Sequence, residues 1–165
     1  MNVELFPSDA QLCGAKILIV DDESADVRLL EWTLRLVKFA NIRTMTDSAQ
    51  ALDAFKEFQP DLVLLNLDTP KIDGLMILKE IQKTTLAGDF LPVLVLTGFD
   101  AAEIRSKATA AGASDFLGKP IDCTKVMLRI RNLLRTRFLH RLACSMQKQL
   151  ATVPILKPTP TGNSL

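Results

Sequence analysis

The sequence predicts a doubly wound α/β domain, a five-stranded parallel sheet with helices on both faces. Three observations lead there. Short apolar runs alternate five times with segments whose apolar residues recur at helical spacing, and crossovers of that kind return each strand in the same direction. The run at residues 62–65 lies between Pro60 and Pro70, is too short for an independent helix and has no polar side, as a strand buried on both faces requires. Polar residues then follow four of the five runs, where open parallel sheets form their ligand sites.

In chain order, Lys16–Val20 is the first strand, and Asp21-Asp22-Glu23-Ser24 offers N-capping side chains to a helix carrying Val27, Leu30, Leu34 and Val37. Residues 42–46 form a weaker second strand. Ser48 caps a second helix with Leu52, Phe55 and Phe58 inward. Residues 62–65 form the third strand, halted at Asn66, and Gly74 opens a helix with Leu75, Leu78 and Ile81 on its buried side. Residues 91–96 form the fourth strand, ending at Thr97-Gly98, and a small-residue helix over 101–111 is stopped by Gly112. Residues 114–117 are the fifth strand; Lys119-Pro120 closes it, and a long helix begins near Asp122.

Composition narrows the setting. The 165 residues, 48% hydrophobic and 24% charged, suit one soluble globular domain. No apolar run reaches membrane-spanning length and the first residues lack the pattern of a secretory signal, so a cytoplasmic protein is expected. Cys13, Cys123 and Cys144 are odd in number and far apart, with no Cys-x-x-Cys, which points to reduced thiols rather than a zinc site or disulfides. The net charge of +1 hides an asymmetry: residues 1–122 carry 12 Lys or Arg against 19 acids, and residues 123–165 carry eight Lys or Arg with no acid. A basic helix of this kind can meet an acidic partner, nucleic acid or a membrane surface.

The polar groups at the strand ends carry the chemistry. Asp21 and Asp22 follow strand one, Asn66 and Asp68 strand three, Thr97 strand four and Lys119 strand five. Singly, each has an ordinary structural role as a cap, a turn or a solvated lysine; four coincidences at one sheet edge are a different matter. Clustered carboxylates make a hard-oxygen site suited to Mg²⁺. A hydroxyl and an ammonium beside them complete a setting for a phosphoryl group.

Four motifs, in order and at suitable intervals, give the chain a family resemblance. Lys16-Ile17-Leu18-Ile19-Val20-Asp21-Asp22-Glu23, the segment Pro60 to Gly74, Leu94-Val95-Leu96-Thr97-Gly98, and Gly112-Ala113-Ser114-Asp115-Phe116-Leu117-Gly118-Lys119-Pro120 together resemble the CheY-like receiver domain of a two-component response regulator. The resemblance implies a flavodoxin-like sheet of order 2-1-3-4-5 and phosphoryl transfer from a histidine kinase or phosphotransfer protein, with Mg²⁺, onto an aspartate ending strand three. It implies Asp22 as a direct metal ligand, Asp21 as a ligand through water and the Asp68 backbone carbonyl as a further one. Thr97 becomes the switch hydroxyl, Phe116 the aromatic switch, Lys119 the phosphoryl partner, and the Lys119-Pro120 bond cis.

The acceptor position, however, holds Asn66. A neutral amide is a poor nucleophile and takes one negative charge from the metal site, so the chain is not expected to be phosphorylated there. Two explanations compete: an engineered substitution holding the resting form, or a natural receiver that signals without phosphate. Retention of Asp21, Asp22, Thr97 and Lys119 favours the first. Asp68 lies beyond the strand end, poorly aimed to replace the nucleophile. Enzyme readings are weaker. Asn66 and Pro70 break the Asp-x-Asp-x-Thr of haloacid-dehalogenase-type phosphatases, and residues 112–119 have the wrong spacing for a phosphate loop.

These readings divide the chain into an N-terminal extension (1–15), a receiver domain (16–135), a helical extension (136–150) and a disordered tail (151–165). In the long helix Val126, Ile130, Leu133 and Leu134 should pack on the sheet, while Phe138, Leu139, Leu142, Met146 and Leu150 continue a stripe that needs its own partner. That stripe suggests a homodimer, through this helix or through the face of the fourth helix, fifth strand and fifth helix. Residues 128–141 also resemble the linker of HD-GYP-type regulators, with the output domain expected to be absent from this chain. Arg129, Arg131, Arg135, Arg137 and Arg141 raise nucleic-acid binding as a third option, with no recognition fold to accompany them.

Overall fold

The computed structural model describes residues 7–98 and 102–152. In chain order the elements are α1 (Asp9–Cys13), β1 (Lys16–Val20), α2 (Ser24–Leu36), β2 (Asn41–Met45), a 3-10 turn (Ser48–Gln50) leading into α3 (Ala51–Phe58), and β3 (Leu62–Asn66). They continue with α4 (Gly74–Thr84), β4 (Val93–Thr97), α5 (Ala102–Ala110), β5 (Asp115–Gly118) and α6 (Cys123–Ala151). The sheet is wholly parallel, in the order β2-β1-β3-β4-β5, so strand order reverses between β1 and β3 as expected.

Alternation along the strands divides the core in two. Ile17, Ile19, Leu62, Leu64, Leu94 and Leu96 pack against Val27, Leu30 and Leu34 of α2 and Val126, Ile130 and Leu134 of α6. Leu18, Val20, Val63, Leu65, Val93 and Val95 face α3, α4 and α5. Each fully buried Leu or Ile contributes about 1.5–3 kcal/mol of hydrophobic stabilisation. The carboxyl ends of β1 and β3 are therefore held by packing on both sides, and the polar side chains that follow inherit that rigidity.

Local differences from the sequence reading have simple causes. β2 starts one residue early, at Asn41, and the turn before α3 is capped by Asp47, whose Oδ1 accepts from Ala49 N at 3.2 Å, rather than by Ser48. α3 buries Ala51 and Ala54, leaving Leu52, Phe55 and Phe58 half-buried against the core. In α4, Ile77 rather than Leu75 joins Leu78 and Ile81 in the interior. The extension before residue 16 contains α1, signalled by Ser8 and Gln11, which form a capping box; Leu12 enters the core.

The long helix behaves differently from a free extension. It crosses the boundary expected at residue 135 without a break, and Arg137 is buried there. Its guanidinium donates to Phe90 O and meets Asp61 at 3.3 Å and Asp89 at 3.5 Å, while Arg141 reaches Asp61 at 2.7 Å. Phe138 lines a cavity of about 180 Å³ with Gln11, Leu12 and Gly14. The expected stripe is thus split: Phe138, Leu139 and Leu142 are half-buried and only Met146 and Leu150 stand exposed. The basic face also finds acids within the chain, since Arg129 pairs with Asp115 at 3.1 Å and Arg135 with Asp9 at 3.7 Å. Among the described residues no helix is long and apolar enough to cross a membrane. The tail expected to be disordered lies, from residue 153, outside the described residues.

Candidate functional site

Four strand ends converge on one pocket. Hydrogen bonding carries β1 one residue past its end, Asp21 N donating to Met45 O at 3.1 Å, so the Asp21 side chain is fixed in the crevice beside β3. Asp21 Oδ1 accepts from Glu23 N at 3.0 Å, and Glu23, not Asp21 or Asp22, caps α2. Asn66, the last residue of β3, is buried. Gly74 allows α4 to start directly over that strand end, because a Cβ there would lie 2.5 Å from Leu67 Cα and 2.9 Å from Asn66 O.

The Asn66 side chain is the hub. Its Nδ2 donates to Asp21 Oδ1 at 3.1 Å and to Asp22 Oδ1 at 3.0 Å, and its Oδ1 accepts from Asp68 N at 3.1 Å. Lys119, carried by the end of β5 through Lys119 N to Thr97 O at 2.9 Å, sets its ammonium 2.8 Å from both Asp21 Oδ2 and Asp26 Oδ2. Burial alone would lower the Lys119 pKa; hydrogen bonding and attraction from Asp21 and Asp26 more than reverse this and hold it above the ordinary lysine value. The Lys119-Pro120 bond is cis.

Asp68 and Thr97 form a second pair beside the hub. Thr97 Oγ1 donates to Asp68 Oδ2 at 3.2 Å, and Gly98 N donates to the same oxygen at 3.0 Å. Phe116 sits half-buried on the core face shared with α3, α4 and α5. Asp26, which bridges to Lys119, was not anticipated; its signal was its place in the first turn of α2, just beyond the acidic pair.

A divalent cation wants oxygen ligands, several of them anionic. Asp21 Oδ2 is fully buried and meets the Lys119 ammonium without a well-directed hydrogen bond, a residual acceptor of the sort a cation site contains. The other groups are arranged against one. Asn66 turns N–H rather than oxygen toward the two carboxylates, Asp68 turns its carboxylate to Thr97, and the described residues contain no group of three or more His, Cys, Asp or Glu able to hold a metal. As arranged here, these side chains do not fit Mg²⁺.

Known proteins resemble the chain in sequence and in fold. The sequence model of the response regulator receiver domain matches residues 17–131. Response regulator MprA of Mycobacterium sp. (strain KMS) is 36% identical over 120 residues, 73% of this chain and 50% of the relative. Response regulator PleD of Caulobacter vibrioides (strain NA1000 / CB15N) is 35% identical over 122 residues, 74% of this chain and 26% of the relative. The chain thus spans half or less of the length of these two relatives. Among solved structures, NtrX from Brucella abortus superposes with a TM-score of 0.75 at 31% identity, covering 86% of this chain and 31% of that one. The signal receiver domain from Bermanella marisrubri gives 0.64 at 29% identity, over 73% of this chain and 98% of that one. The family model covers well over half of the chain, and the solved receiver domains share its parallel sheet: the chain belongs to the response regulator receiver domain family.

Proposed function

We propose that the chain is the input module of a two-component response regulator, held in its resting form by Asn66, with α6 as its link to an output domain or a second copy. The observation that carries this reading is the position of Asn66. It ends the central strand, buried, within hydrogen-bonding distance of both acidic residues and beside the Lys119 pair. With Asp at that position, a carboxylate oxygen would bond to phosphorus as the bond between phosphorus and the donor breaks, the electron pair leaving with the donor group. A carboxamide lacks that nucleophile.

In the Asn66→Asp form, Asp21, Asp22 and the Asp68 backbone carbonyl would hold Mg²⁺, which neutralises charge on the phosphoryl oxygens. Lys119 would pair with the phosphoryl group, and Thr97 would leave Asp68 to follow it, with Phe116 moving into the space behind. The donor would be a histidine kinase or phosphotransfer protein in the cytoplasm, and the response would be a change in the α5–β5–α6 face or in α6 pairing. The module is not itself an enzyme.

A second reading, a phosphorylation-independent docking or dimerisation module, draws on one observation: Met146 and Leu150 stay exposed on α6 beyond the Arg137 clamp. Sedimentation of this chain and of Asn66→Asp, over a range of concentrations with and without a phosphodonor, separates the two. The switch predicts that the phosphodonor changes the association of Asn66→Asp alone. A dimer that forms equally in both and ignores the phosphodonor would leave only the constitutive module.

A further inference from the structure

We infer that the Asn66 carboxamide takes the place of the divalent cation in the acid pocket, so that this chain holds its resting arrangement without metal. The inference rests on reading the pocket as a receiver site and concerns the chain as it stands. A carboxamide carries two N–H donors and one carbonyl, and here every one has a partner suited to it. The two donors go one to Asp21 Oδ1 and one to Asp22 Oδ1, so that one side chain supplies positive dipoles to both carboxylates. The carbonyl accepts from Asp68 N.

The orientation is set by its neighbours rather than chosen freely. Turning the amide over would press its carbonyl against two carboxylate oxygens and its donors against a backbone N–H. Every contact would become repulsive. Charge supports the same conclusion. Lys119 pairs with Asp21 and Asp26, and Asp22 adds a third carboxylate that meets the Asn66 amide, so negative charge exceeds positive there and favours the donor side of the carboxamide. Among the described residues, only the Asn66 side-chain donors reach the Asp21 and Asp22 carboxylates together. Mg²⁺ would compete with the Asn66 donors for the Asp21 and Asp22 carboxylates, and bringing the Asn66 carbonyl to bear on it would cost the contact with Asp68 N. The chain therefore presents the same surface at the carboxyl end of the sheet whatever the Mg²⁺ concentration.

The test is Mg²⁺ titration, by calorimetry and by thermal melting, of the full chain, Asn66→Asp and Asn66→Ala. The expected results are a melting temperature of the parent chain that ignores Mg²⁺ and an affinity at least about tenfold weaker than that of Asn66→Asp. Asn66→Ala frees both carboxylates without adding a nucleophile, and its melting temperature should rise with Mg²⁺. Parent affinity within about threefold of Asn66→Asp, or an Asn66→Ala protein as indifferent to Mg²⁺ as its parent, overturns the inference. If Asn66→Ala does not fold, Mn²⁺ added to the isotope-labelled parent decides alone: sharp resonances around Asp21 and Asn66 support it, and selective broadening there refutes it. Failure of Asn66→Asp to take up a phosphoryl group would instead overturn the receiver reading, and these titrations would remain interpretable.

Discussion

The two ends of the sheet solve one problem in different ways. At the carboxyl end a lysine is held between two carboxylates, Asp21 and Asp26, each 2.8 Å away; at the amino end an arginine is held between Asp61 and Asp89, at 3.3 and 3.5 Å. The surroundings separate them. The Asp21 side chain is wholly buried, whereas those of Asp61 and Asp89 remain 21% and 31% exposed, and Arg141 gives Asp61 a second cation. Attraction dominates at Lys119 and raises its pKa. At Arg137, burial and then repulsion from Arg141 lower the pKa against the pull of Asp89 and Asp61. The first cation is matched to its anions; the second is kept in place at some cost, and what it fixes is the direction in which α6 leaves the domain.

That contrast can be broken at either end. Lys119→Met should have the largest effect, leaving Asp21 buried without its counter-charge, at about 3 kcal/mol measured by urea unfolding. Adding Asp21→Asn should recover much of the loss, since the wholly buried carboxylate is then gone and Asp26, the other partner, is 23% exposed and keeps contact with water. Arg137→Met should cost less, about 1–3 kcal/mol, because both abandoned carboxylates are partly open to water and Arg141 still pairs with Asp61. Its distinctive sign is local: hydrogen exchange should quicken in α6 beyond residue 137 while the sheet stays protected. Arg141→Ala, removing an exposed cation, should cost only about 0.5 kcal/mol and less at high salt.

The pH response sharpens the same point. A lysine pKa raised on folding gives stability that is whole below the ordinary value of 10.5 and is lost as pH rises through the folded value. The Lys119 contribution should therefore be flat across neutral pH and fade only in alkali. Lys119→Met should abolish that alkaline component in pH-dependent unfolding, whereas Arg141→Ala should leave it unchanged.

Much of the site was legible because parallel strands announce themselves. Continuous apolar runs located β1, β3 and β4, and the polar residues immediately after them had to lie along one edge; Asp21, Asp22, Asn66 and Lys119 meet there. Spacing could not foretell that Asp68 would turn to Thr97 and Gly98, or that Asn66 would face the acids with its nitrogen, because both depend on side-chain torsions set by tertiary neighbours. α1 was missed because five residues give no periodicity, and only its Ser8 and Gln11 marked it. The Arg137 clamp was hidden for another reason: an arginine in a basic helical stripe reads as solvated, and its acids lie 76 and 48 residues away in sequence.

Intact-mass spectrometry, on this chain and on Asn66→Asp after incubation with Mg²⁺ and acetyl phosphate, tests the central claim most directly. The account predicts that Asn66→Asp alone gains the mass of one phosphoryl group, because Asp21, Asp22 and Lys119 already gather around the end of β3. Uptake by neither protein would contradict it, showing that the pocket has lost more than its nucleophile; uptake by the Asn66 chain would place the acceptor elsewhere and contradict it as well.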